Sequence, residues 1–398
     1  MTGNAIAIIG AGMIGAAHAF GYRSNFGRFS ERIAGLRLKT VCDGNDLLAS
    51  NLARTWGFEE AVADWAGVLA DPEVGIVSIC LPNFLHVEVT RAALAAGKHV
   101  ICEKPLALNA KDALSVYRDA ERSKSVSATV FNYRRIPAIA AIRDLIAAGE
   151  LGELVNVSIQ YQSEYAADPN LPHSWRYERD RAGPGALLDL GTHAIDTARF
   201  LCGEVCEVAG AIASISIKER FLPAGTSIGH NKVGLSEKRL AVDNDDVMSA
   251  LLRFDSGCQG LFMASRVAVG MGNTLSLFVT GTKGTVRYTS QTPAHFEIAR
   301  FDGSGQSPFS SVANNPSLPY THLLPVPHDG VAIGYAEVFG FMIYDFLDAI
   351  ASDKPMSNGS ILDGLRAAEI LDAIQEAADT GKSAIVNRAS AQLASRVA

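Results

Sequence analysis

The junction that most restricts the fold of this chain lies near its start, where an apolar run meets closely spaced glycines. Ala5–Ile9 is continuously apolar, as in a strand buried on both faces. The pattern G-x-G-x-x-G follows at once as Gly10-Ala11-Gly12-Met13-Ile14-Gly15, before a helix-like segment. Its first glycine permits a tight turn, its second admits a pyrophosphate, and its third allows close packing of helix on strand. The junction predicts a dinucleotide-binding turn at Gly10, Gly12, Met13, Ile14 and Gly15, with a plain glycine-rich turn as the alternative.

An acidic residue is expected at the end of the second strand of such a unit, and Asp43 stands there. It follows Gly15 by more than the usual spacing of about 20 residues, and we assign the excess to a loop insertion at residues 24–35. A carboxylate here binds ribose hydroxyls and repels a 2′-phosphate. No Arg or Lys follows in residues 44–46, so NAD is predicted rather than NADP. The alternative is that Asp43 caps the next helix.

The order of strand-like and helix-like segments predicts an α/β protein of two domains. Strands and helices alternate up to about residue 130, which predicts a Rossmann domain with a doubly wound parallel sheet at 1–130. Runs of strands without intervening helices then predict a second α/β domain, at 131–398, with an antiparallel or mixed sheet. Within it, residues 186–201 are predicted as one helix and residues 303–330 as a long loop.

Composition excludes several classes of partner. The net charge is −7 and no dense Lys/Arg run occurs, so nucleic acid is not expected. No apolar stretch is long enough to span a membrane. The six cysteines are scattered without a CxxC pair and no metal-binding set is evident, which indicates a reducing, cytoplasmic setting and no metal.

Two further motifs carry groups suited to proton transfer. Lys104, in Glu103-Lys104-Pro105, follows a predicted strand at the sheet edge where ligands bind in open α/β folds. A surface ion pair before a proline is the alternative for that tripeptide alone. Asp189 and His193 are spaced i, i+4, so a helix would present them on one face as a carboxylate and a proton acceptor. A helix N-terminal turn favoured by its dipole is the alternative there.

Together these motifs resemble the glucose–fructose oxidoreductase, inositol dehydrogenase and rhizopine-catabolism (Gfo/Idh/MocA) family. The resemblance spans about residues 5–290 and depends most on the run Ala-Gly-Lys-His-Val-Ile-Cys-Glu-Lys-Pro at 96–105. It implies a C-terminal domain with a large open, mostly antiparallel sheet that often mediates dimers or tetramers. It also implies nicotinamide-dependent oxidation of sugars, cyclitols or their relatives.

The resemblance also implies roles for individual residues. The catalytic set would be Lys104, Asp189 and His193. The residues lining the cofactor, besides the glycine turn and Asp43, would be Leu81, Pro82, Asn83, His86, Glu103, Lys104 and Asn132.

A finer resemblance points to the branch that contains levoglucosan dehydrogenase and glycoside 3-dehydrogenases. It rests on the segment 131–135 and on residues that would bind substrate, namely Tyr133, Arg134, Tyr161, Asp168, Trp175 and Arg176. Trp175 could form a platform for the C–H face of a pyranose, and Arg176 could donate to its hydroxyls. Core packing is the alternative for Trp175, and a structural ion pair is the alternative for Arg134 and Arg176.

The combined motifs predict an NAD-dependent dehydrogenase that oxidises a secondary ring hydroxyl of a sugar, glycoside or cyclitol to a ketone. Two alternatives remain open. One is a hydrolase or epimerase of the same family that retains NAD and oxidises its substrate only transiently. The other is a non-catalytic regulator that senses the dinucleotide, although such relatives tend to lose the lysine or histidine that this chain keeps.

Overall fold

The computed structural model describes residues 3–225 and 234–389. The strands are β1 (Ala5–Ile9), β2 (Arg37–Cys42), β3 (Glu60–Val62), β4 (Val74–Ile79), β5 (His99–Cys102), β6 (Ser127–Thr129), β7 (Leu154–Ser163), β8 (Val205–Ser214), β9 (Glu219–Pro223), β10 (Leu235–Ala241), β11 (Val247–Phe254), β12 (Gln259–Ser265), β13 (Asn273–Gly281), β14 (Gly284–Thr289), β15 (His295–Arg300), β16 (Ser310–Ala313) and β17 (Ala384–Ile385). The helices are α1 (Met13–Phe29), α2 (Asp46–Trp56), α3 (Trp65–Ala70), α4 (His86–Ala95), α5 (Ala110–Arg122), α6 (Pro137–Ala147), α7 (Arg179–Ala182), α8 (Thr192–Cys202), α9 (Tyr335–Ala351) and α10 (Ile361–Thr380).

Contacts between Cα atoms divide the chain into two compact units. The first is Met1–Asn132 with Gly334–Arg366, and the second is Tyr133–Ile333 with Ala367–Ala398, over the residues that the structure describes. The sequence-based boundary at residue 130 lies close to the first division. The prediction treated everything after it as one continuous domain, whereas Gly334–Arg366, including α9, groups with the first unit.

The first unit is built on a six-stranded parallel sheet in the order β3-β2-β1-β4-β5-β6. Every residue of β1 and β4 is buried, which explains their continuously apolar sequences. The strand order reverses direction at the neighbours β1 and β4, so this is the doubly wound sheet predicted from the sequence. The carboxyl ends of these strands form the edge where such sheets bind ligands.

Helix α1 is longer than the sequence analysis predicted. Residues 24–35 were expected to form a loop, but α1 continues to Phe29. Its buried residues Tyr22, Asn25 and Phe29 keep helical spacing, and Asn25 donates to the carbonyl oxygen of Gly340 in α9. The additional residues therefore extend a packed helix, since α9 supplies an apolar surface for its last two turns.

The second unit is built on a nine-stranded mixed sheet in the order β16-β15-β14-β13-β7-β12-β11-β8-β17. β7 and β12 run parallel and the other neighbouring pairs run antiparallel. α8 contacts β7 and β12, and α6 contacts β14. The inward residues of β7 are buried and alternate with partly exposed ones, so one face of the sheet is covered and the other is open.

Two predicted elements of the second unit differ in the structure. The helix predicted at 186–201 consists of a π-helical turn, Leu187–Gly191, followed by α8. The loop predicted at 303–330 contains the short edge strand β16. The β9–β10 hairpin was not predicted, since β10 is polar and exposed along most of its length.

Candidate active site

The glycine turn after β1 has the geometry expected of a phosphate-binding loop. Gly10 has φ +108°, and a Cβ at Gly15 would lie 2.0 Å from the carbonyl oxygen of Gly10. A Cβ at Gly12 would meet nothing within 4 Å, so the space above the turn is open. α1 begins at Met13, which is 76% exposed, and no side chain caps its first amides. These amides are placed to bind an anionic group.

Asp43 lies at the carboxyl end of β2 and is half-buried. One carboxylate oxygen accepts from the backbone N–H of Ala11 (2.7 Å) and the other from that of Asn45 (2.8 Å). The cap of α2 is Asn45, which accepts from the amides of Leu47 and Leu48. The capping role left open for Asp43 is therefore filled by another residue, and Asp43 joins the glycine turn to the end of β2.

The segment after β4 contributes Leu81, Pro82 and Asn83, all partly exposed at the sheet edge. His86 differs from them, because it is buried and both of its ring nitrogens lie against the main chain. Nε2 is 2.7 Å from the carbonyl oxygen of Leu81, and Nδ1 is 2.6 Å from that of Pro105. Burial lowers the pKa of His86. These contacts make His86 a support for the two loops, and its predicted place in the cofactor lining stays a prediction.

Glu103 ends a buried chain of polar side chains in the first unit. Its Oε1 is 3.1 Å from Nε2 of His18, and Nδ1 of His18 is 3.0 Å from the hydroxyl of Ser78. Tyr22 lies 2.8 Å from the same hydroxyl, and burial raises its pKa well above the usual range, so its phenol stays a donor. If the imidazole is neutral, Tyr22 donates to Ser78, Ser78 donates to Nδ1 of His18, and Nε2–H of His18 donates to the carboxylate of Glu103.

Lys104 therefore follows a firmly held main chain. Its backbone N–H donates to Oε2 of Glu103 (3.1 Å). The carbonyl oxygen of the following residue, Pro105, contacts the ring of His86. The side chain itself is half-buried. Two buried histidines, His18 through Glu103 and His86 through Pro105, thus fix the chain on either side of the lysine.

Asn132 supplies the test of whether this edge fits a bound dinucleotide. The residue is 0% exposed, yet neither its amide nitrogen nor its amide oxygen has a hydrogen-bond partner among the described residues. Leaving both groups unsatisfied costs about 1–3 kcal/mol each, so a ligand or ordered water is needed there. NAD fits the residues at this edge. The glycine turn is open, Asp43 offers a carboxylate where the ribose hydroxyls of a dinucleotide bind, and the amide of Asn132 needs a partner.

In the second unit, His193 lies in the first turn of α8 and is 4% exposed. Its imidazole packs against two tyrosines, with ring centroids 4.8 Å from Tyr133 and 5.8 Å from Tyr161. The two phenol oxygens are 2.7 Å apart. Tyr133 and Tyr161, both predicted to bind substrate, therefore lie beside the predicted base.

Asp189 lies in the π-helical turn that precedes α8 and is half-buried. Its Oδ2 accepts from the hydroxyl of Tyr165 at 2.8 Å. Burial and the adjacent carboxylate raise the pKa of Tyr165 well above its usual range, so the phenol keeps its proton. π-helical turns recur at functional sites, and here the turn carries the predicted catalytic carboxylate.

Arg134 does not have the arrangement predicted for a substrate-binding residue. Its Nε and Nη2 donate to the two carboxylate oxygens of Asp196 at 2.8 and 2.6 Å, and both side chains are buried. A planar guanidinium forms such bidentate pairs with carboxylates. The structural ion pair, left open as the alternative, is the observed one.

The remaining predicted substrate residues lie on the segment between β7 and α7. Asp168 is half-buried and accepts from the amide of Asn170 at 2.9 Å. Trp175 and Arg176 are half-buried, with the guanidinium carbon 4.5 Å from the indole centroid. The arginine therefore covers part of the ring proposed as a sugar platform.

Sequence reasoning missed three polar residues that contact the predicted ones, namely His18, Tyr165 and Asn273, and it also missed Ser78, which contacts His18. His18 had a signal, because it lies with Gly15 and Tyr22 on the buried face of α1. Asn273 had none, since its partners Tyr133 and Tyr161 lie more than a hundred residues away in the chain.

A Rossmann sheet with a dinucleotide-binding edge, joined to a unit that carries a histidine and a carboxylate, defines a nicotinamide-dependent oxidoreductase. Residues 5–131 match the model of the oxidoreductase family with an NAD-binding Rossmann fold, and residues 139–287 match the GFO/IDH/MocA C-terminal domain. The chain belongs to the Gfo/Idh/MocA family of oxidoreductases, and its cofactor is NAD.

Full-length relatives support this assignment. Levoglucosan dehydrogenase of Pseudarthrobacter phenanthrenivorans is 36% identical over 94% of this chain and 95% of its own. Inositol 2-dehydrogenase of Rhizobium meliloti is 30% identical over 92% and 94% of the two chains. A solved structure of levoglucosan dehydrogenase in complex with NADH has a TM-score of 0.88 at 34% identity, covering 96% of this chain and 99% of that one.

Within residues 3–225 and 234–389, no helix has both the length and the apolar character needed to cross a membrane. These residues also contain no group of three His, Cys, Asp or Glu side chains arranged to hold a metal ion.

Proposed function

We propose that this protein is an NAD-dependent dehydrogenase that oxidises a secondary ring hydroxyl of a sugar, glycoside or cyclitol to a ketone. The observation that carries the proposal is the presence of a complete dinucleotide edge together with Lys104, Asp189 and His193. The relatives described above are dehydrogenases of levoglucosan and inositol, both of which are polyhydroxylated rings.

Three residues of the chain take part in removing the proton from the substrate hydroxyl. His193 accepts it from the substrate hydroxyl, directly or through Lys104, as a general base. Lys104 polarises and positions the same oxygen with its ammonium. Asp189, held by Tyr165, orients His193 or a neighbouring hydroxyl. Bound NAD supplies the hydride acceptor.

The substrate ring is recognised by residues of the second unit. Trp175 offers an apolar ring face to the C–H groups of a pyranose. Arg176 stacks on the ring of Trp175 and forms no ion pair with a carboxylate among the described residues, so its guanidinium can donate to ring hydroxyls. Tyr133, Tyr161 and Asp168 complete the proposed lining.

A spectrophotometric screen tests the proposed function. With NAD and a panel of aldoses, anhydrosugars, glycosides and cyclitols, we expect at least one substrate to give steady formation of NADH, seen by absorbance, and NADP to be a much weaker oxidant. Rates should rise with pH as the base is freed. A protein that purifies with NAD and converts substrate without net NADH would instead be the retaining hydrolase or epimerase. Dinucleotide binding without any turnover would indicate the regulator.

The open face of the nine-stranded sheet is proposed to be covered by a second copy of the chain, in a homodimer or homotetramer. Leu251 and Leu261 are paired across β11 and β12 and are 51% and 54% exposed. Phe278 lies in the same row, beyond Ser158 of β7. An exposed apolar stripe on an otherwise packed sheet is typical of a protein interface.

Introducing glutamate at both Leu251 and Leu261 is expected to convert the oligomer to a monomer, because two charges would be buried in the interface. Light scattering after size-exclusion chromatography measures the mass. The matched control is Val269→Glu, since Val269 is 80% exposed on the loop after β12 and should leave the mass unchanged. A wild-type protein that is monomeric at micromolar concentration would overturn this part of the proposal.

We further propose that the enzyme acts in the cytoplasm. All six cysteines are free thiols, as expected of a protein kept in a reducing compartment. Fractionation of cells with an antibody to the chain would test the location.

A further inference from the structure

Three side chains, two of which pack against His193, form a closed ring of hydrogen bonds. Tyr133 lies 2.7 Å from the hydroxyl of Tyr161, which donates to Oδ1 of Asn273 at 2.6 Å. Nδ2 of Asn273 donates back to the oxygen of Tyr133 at 3.5 Å, the longest of the three contacts. Since Tyr161 gives its proton to the amide, Tyr133 must donate to Tyr161, and each member both donates and accepts.

The strand register explains why Asn273 reaches the tyrosines. In the antiparallel pair of β13 and β7, Leu275 lies opposite Tyr161 and Asn273 opposite Ser163. Asn273 is therefore the diagonal neighbour of Tyr161 on the same face of the sheet, a distance that long side chains can bridge. It is the first residue of β13.

The ring matters because of what it holds. The three aromatic rings of Tyr133, Tyr161 and His193 pack against one another, with centroids 4.8 to 5.8 Å apart and tilted by 44° to 60°. The terminal torsion of a histidine has a broad minimum, so its own rotamer preference does not fix the direction of the ring nitrogens. Contacts with neighbouring side chains are needed to fix that direction, and the two tyrosine rings are among them.

We propose that Asn273 is a positioning residue: by closing the ring with Tyr133 and Tyr161, it fixes the two aromatic side chains that orient the imidazole of His193. The inference rests on the proposed function, in which His193 is the base. Burial raises the pKa of Tyr133 well above its usual range, so this member of the ring stays a neutral donor. The two phenol rings therefore pack against the imidazole, while their hydroxyls form hydrogen bonds with each other and with the amide of Asn273.

The test is a double-mutant cycle on the full-length enzyme. Asn273→Ala and Tyr161→Phe each open the ring, and each is expected to lower kcat by about 10-fold to 100-fold, the cost of a displaced catalytic group. The Kd of NADH should change by less than about threefold in both variants, because neither residue belongs to the first unit. KM should also change by less than about threefold in Asn273→Ala, because Asn273 is not part of the proposed substrate lining. The double variant should lose no more than the worse single variant, because one opening already frees the rings.

The matched control is Tyr288→Phe. Tyr288 is also a buried tyrosine of the same sheet, but its hydroxyl has no hydrogen-bond partner among the described residues. Its kcat should stay at the wild-type value.

Three outcomes would overturn the inference. Asn273→Ala could keep the wild-type kcat, the losses of the two single variants could multiply in the double variant, or Tyr288→Phe could lose as much as they do. A wild-type enzyme that forms no NADH with any substrate of the screen is a separate result, because it refutes the proposed function itself.

Discussion

Replacing Lys104 with methionine is expected to lower kcat by about 10³-fold while the Kd of NADH changes by less than about threefold. Methionine keeps an unbranched apolar stem but lacks the ammonium that polarises the substrate oxygen. His193→Ala should cause a loss of similar size, since it removes the proposed base. Steady-state kinetics with the best substrate of the screen measures kcat, and fluorescence titration measures binding of NADH.

The structure explains why the loss at Lys104 should be large. The main chain before and after the lysine is tied to buried histidines, His18 through Glu103 and His86 through Pro105. The backbone that carries the lysine is thus fixed before the substrate arrives, which lowers the ordering cost of placing the ammonium during the reaction. Another cation free in solution would not replace it.

The control for this pair is Lys124→Met, on an exposed lysine after α5, which should behave as wild type. If Lys104→Met or His193→Ala retained more than about a tenth of the wild-type kcat, the proposed roles would be wrong. If Lys104→Met lost NADH binding instead, the main role of the lysine would be to bind the cofactor.

The second large effect is expected at Asp43. Asp43→Asn should reduce kcat/KM for NAD by about 10-fold to 100-fold, the value of hydrogen bonds to a charged group. It should also narrow the preference for NAD over NADP, because the charge that repels a 2′-phosphate is gone. Kinetics with both cofactors at one saturating substrate concentration measures the two ratios.

Asp46→Asn is the matched control, since Asp46 is an exposed acidic residue in the first turn of α2 and caps nothing. If Asp43→Asn kept the wild-type preference for NAD over NADP, other residues at the cofactor edge would determine that preference. Loss of folding would be visible as a lowered Tm, because Asp43 also holds the amide of Ala11.

The cofactor edge could be predicted from the sequence because its determinants are local. Each of its residues follows a short predicted strand, and the carboxyl ends of parallel strands meet at one edge whatever the details of packing. Gly10, Asp43, Glu103 and Lys104 were placed at this edge in this way, and their contacts with the cofactor stay predictions. The sequence predicted that His86 lies in the segment after β4. It did not predict that His86 is buried against two carbonyl oxygens, because those contacts depend on loops that only the fold brings together.

The substrate half was harder to predict because its contacts are distant in sequence. Arg134 meets Asp196 across 62 residues, and Tyr161 meets Asn273 across 112. Nothing near Asn273 marks it as different from any polar residue at the start of a strand. The π-helical turn at Asp189 was invisible for a related reason, since its sequence has ordinary helical character and the widened turn arises in the packed structure.

The return of Tyr335–Ala351 to the first unit has a consequence for synthesis of the chain. Helix α1 buries Tyr22 and Phe29, and rings of α9 contact its side chains, as at Phe29 and Tyr344. On the ribosome these surfaces must wait while all of Tyr133–Ile333 is made. The nucleotide-binding half therefore begins to emerge first but cannot be completed until Gly334–Arg366 has been made, and a fragment that stops at residue 132 would leave the apolar side of α1 in water.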